Sequence, residues 1–434
     1  MFAVLAVLLG VPIGVVAWLF MLVMQLAMHL VWGIVPQALG VATPGAEVSA
    51  EGVAAAAEPL LPFWFILAVT IVGAVLLAAN ERRNERRGGI KIVPIMQAIM
   101  QVKKGKRYDW RKTGDYALTA LLPLTFGAAV GPEAGLTNVI SAAATRVGDT
   151  TKALAVTCRA CVAEGRAIRR SEVRAALRAD GGPGVPSPFA SRVQKRVAYG
   201  LIAAGATAAF FLLGHLVGGG LTLPRLPGAS WSVDLLLWAL PCVVAGVVCG
   251  MLFDVFSAGS AWLAKAFGRH ILVRNLAVAL VLSCAGAAIP CVLFSGETDL
   301  FGVVAGWQEF GLVTLLAMVM CRLALAPLCI ACGWEGGQFF PLIFAGVVAG
   351  YAVAMLTGAD PTFCAACSSA ALLGTIMRRP LLAVATMLLV MPLPMAVPMV
   401  LAGWVGAVVP LPEALGAAPA KRLAFGRRGM EPGE

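Results

Sequence analysis

Long apolar blocks separated by short polar stretches set the pattern of this chain. Residues 2–35, 61–80, 197–218, 235–256 and 273–294 are the clearest blocks. Each has the length of a membrane-crossing helix, about 20 residues. Other apolar stretches are too short to span: roughly 93–101, 131–145, 366–377 and 380–394, bounded by Gly, Pro and Arg-Arg. Short helices of this kind are tolerated in a membrane only where protein or a watery cavity satisfies the backbone. The pattern predicts an all-α polytopic membrane protein with broken and re-entrant helices. Residues 2–35 exceed a signal h-region and no basic stretch precedes them, so they read as a first, long, tilted helix.

Two interruptions match. "AVGPEAGL" (129–136) and "GWEGGQFFPLIFAG" (333–346) both put glycine and proline at the mouth of a fresh apolar helix, about half a chain apart. Matched interruptions in two halves are the mark of an inverted-repeat transporter with its site between them. Proline suits a first helical turn, where an N–H lacks an intrahelical partner. Those free N–H groups carry partial positive charge. Two such helix starts facing each other make an anion site without a full positive charge.

Composition agrees: 60% of residues are hydrophobic and 13% are charged. The net charge of +11 raises nucleic acid as a partner, but its distribution argues against one. Basic residues cluster at 81–91, 103–112, 166–174, 192–196, 265–270 and in the tail, whereas 36–60 and 295–310 hold only acidic charges. That asymmetry is the positive-inside pattern. It places 81–112 and the C-terminus in the cytoplasm and 36–60 outside.

Eleven cysteines include the pairs Cys158/Cys161, Cys329/Cys332 and Cys364/Cys367. Their long intervals and apolar setting read as small buried hydrophobes rather than a zinc site. The histidines (His29, His215 and His270) are scattered. No nucleophile–base pairing stands in the membrane segments, so neither an enzyme, a metal nor a cofactor is expected.

These residues resemble the CLC family of chloride channels and proton/chloride antiporters. "GGQFFP", Gly336 to Pro341, is similar to the family's GGIFAP, and "AAVGP", Ala128 to Pro132, to its GREGP. The stretch "GGIKIVP" before a short helix resembles GSGIP, and "LLGTIMRRPLLAVATMLLV" (372–390) resembles a late helix pair. The resemblance runs from residue 1 to about 415 and implies a single transmembrane domain over 1–434. Its inverted halves fall at about 1–218 and 230–415, with a short tail over 416–434 and no CBS pair. It also implies a homodimer in the plasma membrane and a small anion, chloride first, as ligand. Small and apolar residues along 197–218 and 380–405 suit close helix packing for such a dimer.

By resemblance the anion-binding residues are Gly131, Gly337, Gln338 and Phe339, acting mainly through backbone N–H groups. Lys91 joins them if Pro94 matches the GSGIP proline. If the register slips, Gly88 or Gly89 takes that place and Lys91 is a cytoplasmic basic residue. The departures bear on mechanism. Val130 stands where family antiporters carry the gating glutamate, which favours passive conduction. Glu133, three residues on, shares a helix face with that position and is either a displaced gate of a proton-coupled antiporter or a cap of its own helix dipole. Pro412 replaces the family's central tyrosine. The polar stretch 159–196 stands in place of an apolar helix pair, so Glu164 and Glu172 are expected in a solvated loop.

The charge pattern makes one direct prediction. A cysteine at Glu51 should react with a membrane-impermeant thiol reagent in intact cells and one at Arg86 should not; the reverse would invert the orientation.

Overall fold

The computed structural model describes residues 2–41, 61–87, 90, 92–93, 108–178, 191–220, 224–229, 233–289 and 291–410. Lys91, Pro94, Pro412 and the C-terminal tail lie outside them. Fourteen helices are described here: α1 Phe2–Met28, α2 Phe63–Arg86, α3 Thr113–Thr125, α4 Glu133–Ala163, α5 Arg170–Arg178, α6 Arg192–Val217, α7 Val233–Ala266, α8 Ile271–Ala288, α9 Asp299–Gly306, α10 Gly311–Ala331, α11 Phe339–Thr357, α12 Pro361–Met377, α13 Pro380–Met387 and α14 Ala396–Val408. The first helix continues through a π-helical turn, His29–Ile34, to Ala38. Seven helices among the described residues are long and apolar enough to cross a membrane. They include all five expected blocks and add α10 and α11.

Two compact units are distinguishable. One comprises residues 1–26, 95–118 and 135–221. In it α1 and α6 approach closely: a side chain at Gly10 or Gly14 would run into the backbone of Ile202 or Ala206. Trp18 Nε1 donates to the Gly218 carbonyl at 2.8 Å, and the Arg146 guanidinium lies over the Trp110 ring at 4.1 Å.

Within the polar stretch 159–196, the described residues 159–178 are largely helical. α4 runs on to Ala163 and α5 forms within the stretch. Arg166 bridges Glu164 and Glu172 at the surface. Its hydrogen bonds, with the Arg169 amide, hold the Glu172 carboxyl down at about 2. Glu164 thus stands in the solvated turn after α4, as expected, whereas Glu172 is on α5; both pair with one arginine.

The other unit comprises residues 27–94, 119–134 and 222–434. Its centre is α11, buried over most of its length and packed on α12, which is buried likewise. A Cβ at Gly350 would sit 2.4 Å from the Ala365 Cα, so only glycine permits this approach. Helix ends find polar partners, as a low-dielectric setting demands. Asp360 Oδ1 accepts from the Phe363 amide at the start of α12. Arg378, left-handed at the end of that helix, donates to the Ala407 and Val409 carbonyls that end α14.

One expected span is shorter than its apolar run. α8 ends at Ala288, and the chain folds back through Cys291 (φ 56°), Phe294 (φ 58°) and Gly296 (φ 82°). Left-handed backbone at the first two residues is strained and is held by Arg322 of α10, which is 1% exposed. Its guanidinium donates to the Phe294 carbonyl, to the Cys291 carbonyl at 2.5 Å and to Asp299 at 2.9 Å. It also lies over the Phe344 ring of α11 at 4.6 Å.

Arg322→Met removes that anchor and leaves Asp299 without its cation. Breaking a buried ion pair from one side costs about 3–5 kcal/mol. The variant should lose most of its monodisperse yield in detergent, or unfold at a clearly lower temperature by fluorescence-detected gel filtration. Wild-type thermal stability would show that the loop does not depend on Arg322.

Candidate functional site

The two glycine–proline interruptions meet. Gly131 and Gly337 form an isolated antiparallel bridge: the Gly131 amide donates to the Gly337 carbonyl at 2.8 Å, and the Gly337 amide to the Gly131 carbonyl at 2.7 Å. α4 starts two residues after the first glycine and α11 two residues after the second. Two helix N-termini therefore flank the bridge. The sequence pattern anticipates this juxtaposition but not the pairing. Each glycine amide donates to the other glycine's carbonyl, so neither is the donor that the resemblance implies.

The remaining donors belong to the first turn of α11. Gln338, at its N-cap, makes no side-chain cap. Instead Glu133, the first residue of α4, reaches across and caps α11 from the other helix. Its Oε1 accepts from the Phe339 amide at 2.6 Å. The amides of Phe340 and of Glu133 itself stand beside this carboxylate, and its Oε2 is sealed from solvent. A negative group held by several amides at a helix start is the arrangement that anion sites use. Here a side chain supplies the negative group.

The glycines provide room for it. A Cβ on Gly131 would fall 1.9 Å from Glu133 Oε2, and one on Gly337 would fall 2.0 Å from the Glu133 carboxyl carbon. Absence of side chains at both positions shapes the seat. Val130 is fully buried, and its Cγ2 fills the space over Gly336, 2.3 Å from where a Cβ would stand. It is a wall beside the bridge.

Neighbouring elements fix this seat. The turn after α10 passes through Gly333 (φ 94°), and the Trp334 amide returns to the Cys329 carbonyl at 2.9 Å. Arg274 of α8 donates from Nε to the Cys332 carbonyl at 2.9 Å and pairs with Glu81 of α2 at 2.5 Å. Glu335 Oε2 accepts from the Ile92 amide at 2.7 Å. On the Gly131 side, Trp32 Nε1 donates to the Thr125 carbonyl at 2.8 Å, and its ring lies against Phe294 at 5.1 Å between centroids.

That last contact brings in a residue that sequence reasoning assigned only to an acidic loop. Glu297, in the folded-back stretch before α9, is 8% exposed and close enough to Glu133 for their charges to interact. Phe340 was likewise unmarked. Its amide follows Phe339 in a first turn that ends on Pro341, and the first-turn pattern was the available signal.

A family model described as voltage gated chloride channel matches residues 188–410. The crystal structure of a slow cyanobacterial Cl−/H+ antiporter superposes with a TM-score of 0.63 at 15% identity, covering 97% of this chain and 96% of that one. A CLC-type fluoride/proton antiporter superposes with a TM-score of 0.48 at 16% identity over 93% and 94% of the two chains. No curated protein matches. The first likeness establishes the fold. The family match spans more than half of the sequence and, on the observations above, this polytopic membrane protein belongs to the voltage-gated chloride channel family.

Proposed function

We propose that the chain carries a small inorganic anion, chloride first among those expected, and that Glu133 gates the seat. The observation that supports this is the hydrogen bond from the Phe339 amide to Glu133 Oε1. The anion and the carboxylate seek the same amides, so the anion enters when the carboxylate leaves. Protonation of Glu133 removes the charge that holds it there. Transport is then linked to protons, with flux rising as pH falls. This reverses the preference for passive conduction drawn from Val130 alone, whose side chain packs over Gly336.

The anion donors are the Phe339 and Phe340 amides at the Gln338 cap, and Gly131 and Gly337 form the floor. The protein works as a homodimer in the plasma membrane, with its C-terminus in the cytoplasm. α6 supports the dimer: it is apolar, and its Phe211, Leu212 and Leu216 are exposed on the subunit. Passive conduction is the second reading, favoured by the absence of a titratable group at position 130.

Chloride efflux from liposomes at two pH values decides between them. A hydrogen bond to a charged group is worth about 1.5–3 kcal/mol, so Glu133→Gln should raise flux at neutral pH roughly 10- to 100-fold and flatten its pH dependence. Proton movement accompanying chloride, lost in Glu133→Gln, supports coupling. A wild type that moves chloride at a pH-independent rate without protons supports the passive reading and overturns ours.

Gly337→Ala offers an independent check, because its Cβ collides with the carboxylate while leaving it titratable. It should raise neutral-pH flux in the wild-type background. In the Glu133→Gln background it should add less than about half of that effect, since groups in contact are not additive. Equal effects in both backgrounds would place Glu133 elsewhere.

A further inference from the structure

We propose that Glu297 is a second carboxylate of the transport route, which passes protons between the solvent and Glu133. The inference rests on the gating role of Glu133. Glu297 is 8% exposed, and its Oε2 has no hydrogen-bond partner among the described residues. Carboxylates are rarely buried so deeply without a partner, because desolvation of the charged form is costly.

Its surroundings explain why it stays there. The backbone beside it is fixed: a Cβ on Gly296 would meet Arg322 Nη2 and Phe344 Cδ2, each at 2.9 Å. Phe344 lies five residues into α11 from Phe339, so the loop runs beside the helix whose first amides make the seat. The charged and titratable groups around Glu297 are Glu133 at the start of α4, Asp299 at the start of α9 and Arg322 of α10. Arg322 is committed to Asp299 and two carbonyls. Glu297 therefore has another carboxylate in its electrostatic surroundings, with the nearby cation already engaged. A proton held between Glu297 and Glu133 relieves their repulsion.

The loop also stands at a suitable end. α8 begins beside the basic stretch 265–270 and has 18 residues, about 27 Å at 1.5 Å per residue. That is long enough to carry the chain to the side opposite those basic residues, which the charge pattern puts outward.

The step balances without any other reactant. Glu297 in its acid form gives a proton, through intervening water, to the Glu133 carboxylate. Glu133 becomes neutral and releases the Phe339 amide. Glu297, now a carboxylate, recovers a proton from the outer solution. The reverse sequence returns the proton outward when the anion leaves.

The test uses the full chain in liposomes, with chloride efflux measured at neutral and acidic outer pH for wild type, Glu297→Gln, Glu297→Asp and Glu133→Gln. Glu297→Gln should cut the acid-to-neutral flux ratio by about tenfold or more, a modest share of what a positioned proton donor contributes. Glu297→Asp keeps a carboxylate one methylene short and should give an intermediate ratio. If Glu297→Gln does not elute as a single species, Glu297→Asp carries the test, and a wild-type ratio there overturns the proposal. A wild-type ratio in Glu297→Gln, together with a flattened profile in Glu133→Gln, overturns the relay and leaves the gate standing. A pH-independent wild type, unchanged by Glu133→Gln, overturns both.

Discussion

Amides at the start of a helix have no intrahelical partner, and in a low-dielectric interior they must find one. At the start of α11 the partner is the Glu133 carboxylate, 2.6 Å from the Phe339 amide. Much of the surrounding structure follows from holding that contact in place. The Gly131–Gly337 bridge brings the two helix starts together and leaves a floor without side chains. The Arg274–Glu81 pair and Glu335 fix the turn that precedes α11. A carboxylate held by fixed amides is an internal substitute for a free anion, and a substitute that carries an exchangeable proton links the site to pH.

The spans were legible because an apolar block of membrane length has few alternatives to a helix. The paired glycine–proline interruptions were legible too, since proline and free amides both belong to first turns. What local pattern could not supply was how residues 206 positions apart pair. Gly131 and Gly337 therefore read as anion donors in the sequence, although each amide is taken by the other's carbonyl. The spacing from Val130 suggests one shared helix face, but α4 starts only at Glu133, so Val130 lies outside the helix. That its side chain would leave its own helix to cap another was not encoded in that spacing.

Glu297 was the larger omission. "SGETD" after an apolar run has the composition of a solvated loop. Its burial depends on left-handed Cys291 and Phe294, residue types that do not announce such a turn, and on Arg322 arriving from α10. The extension of α4 and the formation of α5 were missed for the opposite reason. Charged residues there suggested a loop, yet Arg166, Glu164 and Glu172 satisfy one another at the surface.

The central claim is that the Glu133 carboxylate and the transported anion compete for one set of amides. Anomalous scattering from bromide in crystals of wild type and Glu133→Gln tests it directly. The account predicts a bromide peak at the Phe339 and Phe340 amides in Glu133→Gln, and none there in the wild type at neutral pH, where the carboxylate holds the seat. A peak at those amides in the wild type with Glu133 still bonded to Phe339, or none there in Glu133→Gln at saturating bromide, would contradict it.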